Sequence, residues 1–297
     1  MSTVLILGAT GMLGSAVLKE FSTFQGKVYA STRGNKISIS DSGVTFLNFD
    51  AATDDLETSF PMPVDFVINC IGIIKPYIND EDAKQTATAL EINGAFPNRL
   101  EVWATKRGAK VIQIATDCVF SGSKGNYLES DEHNALDVYG KSKSLGEAKG
   151  ASMMHLRVSI IGPEVDRNTS LLEWVRNQPP NAEISGFTDH FWNGITSFHF
   201  SKMTLGIIEN DLFEAGVFHV LPEGSVSKYE LVSLIAKHLG RFDIKVKPTV
   251  TGANINRTLG TEFPAKNKSL WRSAGYDSPP SFEQMVSELV AASVANS

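Results

Sequence analysis

The sequence predicts an α/β protein with a doubly wound parallel sheet and a smaller C-terminal region. Three observations carry this. Short β-branched runs alternate with helix-length segments through residues 1–162, a glycine triplet follows the first run directly, and the alternation gives way to longer mixed segments after Gly162-Pro163. Such a Rossmann-type sheet takes ligands beyond the carboxyl ends of its strands. The chain therefore divides into a dinucleotide-binding domain, 1–162, and a mainly substrate-binding region, 163–297, which is free to return strands or helices to the first.

The strand-like runs are "TVLIL" 3–7, "KVYAS" 27–31, "VTFLNF" 44–49, "DFVINC" 65–70, "KVIQIA" 110–115 and "MMHLRVSII" 153–161. Their continuous apolar character suits strands buried on both faces. In the second region, "VSKYELVSLIAKHLG" reads as a helix with Ser227 as cap, Glu230 at the reciprocal capping-box position, Val226 and Leu231 as a hydrophobic staple, and Gly240 as its end. "SFEQMVSELVAA" repeats Phe282, Met285, Val286, Leu289 and Val290 at helical spacing. Both helices read as structural.

Directly after the first strand, "LILGATGMLG" sets Gly8, Gly11 and Gly14 at a strand-to-helix turn. The first glycine lets the chain reverse, the second lets the backbone approach a pyrophosphate, and the third lets helix and strand pack closely. The amides of a helix N-terminus then face the anion. Gly8, Thr10, Gly11, Met12, Leu13 and Gly14 are the candidate cofactor cradle. A P-loop is excluded: the "GKS" at Gly140–Ser142 lacks the glycine five positions earlier, where Ala135 stands.

The end of the second strand selects the cofactor. NAD usually meets an Asp or Glu there, through its ribose 2′-hydroxyl. "YASTRGNK" supplies Arg33 and Lys36 and no acid, which suits a 2′-phosphate, so NADP(H) is preferred over NAD(H). Asp50, after the third strand, is left to contact the adenine or to cap the next helix.

Near the end of the fifth strand, "IATDCVF" places the Thr116 hydroxyl where a nicotinamide would lie. In the following helix "DVYGKSK" sets Tyr139 and Lys143 at i, i+4, on one face. Hydride delivery to a ketone builds charge on its oxygen, so a proton donor is needed within hydrogen-bonding reach. A phenol suits this once an ammonium lowers its pKa from about 10. Tyr139 is thus the candidate proton donor, Lys143 its partner and ribose ligand, and Thr116 the group that orients the carbonyl. Upstream, Pro97 follows Asn93 by four and cannot donate to its carbonyl. That carbonyl is a candidate to hold a water relaying protons to Lys143, against a kink without function.

Composition narrows the rest. A formal charge of −6 and the absence of basic runs argue against nucleic acid or an anionic membrane surface as partner. The opening residues carry an apolar run only from Val4 to Leu7, too short for a signal peptide, so a cytoplasmic location is expected. Cys70 and Cys118 read as buried free thiols, and the six histidines show no ligand spacing, so no metal is expected.

Taken together, "GATGMLG", "NRLEVWATKRGAKVIQIATDCVFSG", "YLESDEHNALDVYGKSKSLGE" and "LRVSIIGPE" resemble the extended short-chain dehydrogenase/reductases, and most closely the dTDP-4-dehydrorhamnose reductases. The resemblance covers residues 3–162 well and the remainder loosely. It implies Thr116, Tyr139 and Lys143 as a ketoreductase triad, Asn69 to Gly72 (with Cys70, Ile71 and Gly72) as cofactor lining, and the C-terminal region as the seat of a nucleoside-diphosphate sugar. Arg257, in "NINRTLGT", is the implied diphosphate ligand. Asp117 and Cys118 fall beside the substrate, as does Trp192, whose pair with Phe191 is open between stacking on a base and packing. Cys118 stands where the family has tyrosine, and Ala135 where it has proline. Related dehydratases carry an Asp-Glu pair after the threonine; Cys118 replaces that glutamate, which disfavours dehydration.

The implied activity is NADPH-dependent reduction of a 4-keto-6-deoxy sugar nucleotide, toward a deoxyhexose for surface polysaccharide. A sugar-nucleotide epimerase and a non-catalytic NADP-binding regulatory subunit are the alternatives. The intact triad counts against the regulatory subunit. A homodimer is compatible with the fold.

Overall fold

A computed structural model describes residues 1–34, 43–164 and 169–294, so Lys36 lies outside the described residues. Seven strands form the main sheet: β1 (Thr3–Leu7), β2 (Lys27–Thr32), β3 (Val44–Asn48), β4 (Phe66–Asn69), β5 (Lys110–Ala115), β6 (Met153–Arg157) and β7 (Gly216–His219). Their order is β7-β6-β5-β4-β1-β2-β3, and every neighbouring pair is parallel.

Helices cover both faces, which is why the strands carry apolar residues in unbroken runs. Along β1, Val4 and Ile6 join one buried cluster while Leu5 and Leu7 join another on the opposite face. The chain turns from β1 to β2 on one side and returns to β4 on the other. This reversal opens a crevice between the carboxyl ends of β1 and β4, the position at which such sheets take ligands.

The helices that matter for the site are α1 (Met12–Glu20), α2 (Phe96–Arg107), α3 (Val138–Leu145), α4 (Ser197–Glu209), α5 (Lys228–His238) and α6 (Phe282–Val294). The α5 capping box forms as its sequence predicts: Glu230 N donates to Ser227 Oγ at 3.2 Å, and Ser227 N donates to Glu230 Oε2 at 2.7 Å. Gly240 follows at φ +69°, and the next amide, of Arg241, donates back to Ala236 O at 2.9 Å. All five periodic apolar residues of α6 are buried.

Two expectations change. The run 153–161 is not one strand: β6 stops at Arg157, and Ile160–Ile161 pairs with Ile195–Thr196 in a separate ribbon. Ile195 N donates to Ser159 O at 2.9 Å, so the second half of the apolar run is claimed by the C-terminal region. The proline at 97 does not simply kink a helix. Leu90–Ala95 widens into a π-helical segment in which Phe96 N donates to Glu91 O, five residues back.

The C-terminal region contributes β7 to the main sheet and builds a small sheet of its own. In that sheet His190–Trp192 lies between Val226–Ser227 and Ile255–Asn256. This juxtaposition brings Trp192, the start of α5 and the segment before Arg257 to one place.

Leu289 is 2 % exposed and ties α6 to this core. Leu289→Ala is expected to lower unfolding free energy by about 2–5 kcal/mol, seen as a fall in the urea midpoint at unchanged m-value.

Candidate active site

The glycine cradle has the geometry its sequence requires. Gly8 sits at φ +75°, and its N–H donates to Ser31 Oγ at 3.0 Å, joining the loop to the end of β2. Gly14 faces Gly8 so closely that a Cβ on it would lie 2.1 Å from the Gly8 carbonyl oxygen. Helix α1 can meet β1 only because that Cβ is missing. Between them Thr10 and Gly11 are exposed at the start of α1 and Met12 is half-buried, whereas Leu13 points into the core and offers only backbone outward. The cradle fits an anionic dinucleotide through backbone amides and a helix N-terminus.

Across the crevice, β4 ends at the buried Asn69, whose side chain donates to Gln113 Oε1 at 2.7 Å and accepts from Ile71 N at 3.1 Å. That fixes the turn through Cys70, Ile71 and Gly72. A Cβ on Gly72 would meet Asn93 Oδ1 at 3.3 Å and Lys143 Nζ at 3.7 Å, so the turn runs past both residues. Arg33 is exposed at the end of β2. Asp50 does not cap the next helix: Asp55 caps Leu56–Ser59, accepting from Thr58 N at 3.0 Å, whereas Asp50 Oδ1 accepts from Ala52 N at 2.9 Å within a turn.

Thr116 follows directly on β5, and its hydroxyl oxygen accepts from Cys118 N at 3.2 Å, starting a short 3-10 turn through Asp117–Val119. Helix α3 begins against this turn. Its cap Asp137 accepts from Gly140 N at 2.8 Å, and a Cβ on Gly140 would sit 2.2 Å from the Cys118 carbonyl oxygen. The glycine of "GKS" thus brings Tyr139 next to Thr116. One turn on, Lys143 is 9 % exposed and donates to Ile114 O at 3.3 Å. Asn93 packs on the same helix: its carbonyl oxygen lies against Gly146, and its amide donates to Ser142 Oγ at 3.1 Å and Ile73 O at 2.9 Å.

Burial dominates the electrostatics. It pushes the Tyr139 phenol above its ordinary value, with the Cys118 thiol adding to the rise and a side-chain hydrogen bond with Thr116 opposing it. Burial lowers the Lys143 ammonium to about 8, opposed chiefly by the Glu147 carboxylate. The thiols of Cys70 and Cys118 rise to about 12, both chiefly through burial, so they stay protonated at neutral pH.

The far wall comes from the C-terminal region. Arg257 donates through Nε to Phe120 O at 2.9 Å and acts electrostatically on Asp117, whose carboxyl is raised by burial and lowered by Arg257 and then Lys228. Trp192 is packed rather than presented: it is 3 % exposed, with Phe282 at 5.7 Å between ring centres. Phe191 beside it is exposed.

Two features escape the sequence reading. Lys228 lies over the Trp192 ring, 5.4 Å from its centre, and within electrostatic reach of Asp117 and Cys118. One signal was available: a lysine as first residue of a helix opposes the helix dipole and invites a reason. The second is an ion cluster behind α3. Arg157, 1 % exposed, donates to both carboxylate oxygens of Glu147, at 3.0 and 2.6 Å, and to Nε2 of His219 and of His133, at 2.7 and 2.8 Å. Glu147 follows Lys143 by one turn, so this cluster anchors the catalytic-helix candidate from behind.

Comparison with known proteins places this geometry. The model of a family described as "RmlD substrate binding domain" matches residues 1–294. The chain is 29% identical over 253 residues to "Methionine adenosyltransferase 2 subunit beta" of Danio rerio, covering 78% of this chain and 72% of the relative. It is 23% identical over 282 residues to "dTDP-4-keto-6-deoxy-D-glucose reductase" of Streptomyces niveus, covering 91% and 90%. Among solved structures, dTDP-4-dehydrorhamnose reductase from Bacillus anthracis str. Ames in complex with NADP superposes with a TM-score of 0.72 at 20% identity, over 98% of this chain and 99% of that one. The fold is therefore that of the extended short-chain dehydrogenase/reductases.

Arg157→Met leaves Glu147 buried without its guanidinium partner, an expected loss of about 3–5 kcal/mol in denaturant unfolding at pH 7. Arg157 and burial act oppositely on Glu147, and in the intact protein its carboxyl lies below 4.5. Its stabilising contribution is then present above about 4.5 and lost as pH falls through the folded value. In the variant burial acts without that opposing pair and raises the carboxyl, so the deficit relative to wild type is largest at neutral pH and shrinks on acidification.

Proposed function

This chain belongs to the RmlD substrate-binding domain family, and on that premise we propose that it is an NADPH-dependent reductase of a nucleoside-diphosphate 4-keto-6-deoxy sugar. The observation that carries the reading is the convergence of Thr116, Tyr139 and Lys143 beside the crevice that the glycine turn and the β4 end enclose. The relative from Streptomyces niveus supports it by name, over nine-tenths of both chains. The product fits deoxyhexose supply for a surface polysaccharide. No helix among the described residues is long and apolar enough to cross a membrane.

The cofactor supplies the hydride; the protein supplies place and proton. Gly8, Thr10, Gly11, Met12, Leu13 and Gly14 hold the pyrophosphate at the helix start, the turn Cys70–Gly72 lines the nicotinamide half, and Arg33 receives the 2′-phosphate. Thr116 donates to the substrate carbonyl and holds it toward Tyr139. Tyr139 gives its phenolic proton to the oxygen as charge develops there. Lys143 steadies the resulting phenolate and holds the ribose, and the Asn93 carbonyl, to which Pro97 cannot donate, holds a water that relays protons to Lys143. Arg257 takes the diphosphate, and Asp117 and Cys118 border the sugar. A division into residues 1–162 for cofactor and 163–297 for substrate follows from these assignments, with β7 and α4 returned to the first part.

A second reading keeps the fold and drops the turnover. It is favoured by the likeness to methionine adenosyltransferase 2 subunit beta, and it makes the chain a nucleotide-binding regulatory subunit.

Incubation with NADPH and a panel of 4-keto-6-deoxy sugar nucleotides separates the readings: stoichiometric loss of nicotinamide absorbance marks the reductase, isomer formation without net oxidation an epimerase, and binding without turnover the subunit. For the reductase, Tyr139→Phe is expected to lower kcat by about 10²–10⁴-fold while NADPH affinity, read by fluorescence titration, stays within a few-fold. Arg33→Ala is expected to weaken NADPH roughly 10–100-fold and NADH hardly at all; equal losses for both would remove the 2′-phosphate assignment.

A further inference from the structure

The turn that begins at Thr116 also holds Arg257. Phe120 N donates to Asp117 O at 3.0 Å, closing the turn four residues after Thr116, and the Phe120 carbonyl oxygen accepts from Arg257 Nε at 2.9 Å. The Phe120 ring is fully buried, stacked on Tyr127 with 4.2 Å between centres and 5° between planes, and the Arg157 guanidinium lies over it at 5.2 Å. The hydroxyl of Tyr127, a side chain as buried as its partner, accepts from Gly122 N at 3.2 Å and from Lys124 N at 3.1 Å. Those bonds set Gly122, at φ +90°, against the arginine stem: a Cβ there would lie 3.0 Å from Arg257 Cγ and 2.9 Å from Ile255 Cγ2. Gly122 O closes the clasp by accepting from Asn256 N at 2.7 Å.

Arg257 is thus fixed at Cγ by a missing Cβ and at Nε by a carbonyl, while among the described residues no group accepts from its two terminal nitrogens. A guanidinium anchored in this way keeps a planar fork of N–H donors turned outward, the shape that pairs with the oxygens of a diphosphate. Holding the fork in place beforehand also removes much of the ordering cost that a free arginine side chain meets on binding. We propose that Tyr127, acting through the Phe120 ring and the Gly122 amide, is a positioning residue that aims the Arg257 fork at the substrate diphosphate. This rests on the sugar-nucleotide reading and adds to it the means by which the site tells a nucleoside diphosphate from a monophosphate.

The test is a double-mutant cycle read by equilibrium binding with NADP+ present, using dTDP and UDP as probes and dTMP and UMP as controls. Tyr127→Phe keeps the stacked ring and removes the oxygen that two amides bond. It is expected to weaken the diphosphates about tenfold and the monophosphates less than about twofold, and to weaken the diphosphates no further in an Arg257→Ala background. Gly122→Ala reaches the arginine stem from the other side of the clasp and should show the same selective loss. In turnover of a 4-keto-6-deoxy sugar nucleotide, the Tyr127→Phe defect should appear in KM rather than in kcat. Equal losses for diphosphate and monophosphate, or an undiminished loss once Arg257 is gone, make the stack purely structural and overturn the proposal. So does an Arg257→Ala protein that binds the diphosphates as tightly as wild type. Should wild type oxidise NADPH with none of the ketones yet show the coupled, diphosphate-selective loss, the reductase reading fails and the positioning role of Tyr127 stands.

Discussion

Withdrawal from water at the end of β5 is the constraint on which the rest of the site depends. It moves the two members of the Tyr-Lys pair in opposite directions, raising the phenol and lowering the ammonium to about 8. Both shifts favour neutral forms. At neutral pH the phenol keeps its proton ready to donate, while the amine, a unit above neutrality, is still mostly charged. Glu147 acts to hold that charge. Donation to a nascent alkoxide is downhill only if the phenolate left behind is stabilised. In this site the stabilising charge must come from Lys143 and from whatever binds beside it.

The architecture can be followed outward from that requirement. A parallel sheet covered on both faces buries its strand ends, and its order reverses between β1 and β4, which leaves one crevice at the carboxyl edge. Close approach is then enforced by missing Cβ atoms: Gly14 against Gly8, Gly140 against the Cys118 carbonyl, Gly146 against the Asn93 carbonyl. Each contact fixes the position of a functional neighbour. The Arg157–Glu147 pair fixes α3 from its other side, with two imidazoles around the guanidinium.

The first half of the chain was legible because its signals are local. Apolar runs flanked by helix-length segments, a glycine turn directly after a strand, and a phenol and amine at i, i+4 each state their structure within a few residues. The capping box at Ser227 and Glu230 was read for the same reason. What the sequence hid depends on pairing across long separations. The run 153–161 breaks at Arg157 because Ile160–Ile161 finds a partner at Ile195–Thr196, and no local periodicity announces that. Lys228 comes to lie over Trp192 only because His190–Trp192 is sandwiched between Val226–Ser227 and Ile255–Asn256. The response of the helix to Pro97 was half legible: a lost donor was evident, whereas the widening to five-residue hydrogen bonding is a choice made by packing against α3.

The most direct test follows the phenol itself. With tyrosine labelled at the ring carbon bearing oxygen, NMR titration can monitor Tyr139, assigned by its disappearance in Tyr139→Phe, in the free protein and in the complex with NADP+. The free phenol should titrate above its ordinary value of about 10 and move down when the oxidised cofactor binds beside Lys143. A phenol that titrates at its ordinary value in the free protein, or that fails to move on cofactor binding, contradicts the central claim that burial and Lys143 together set this proton.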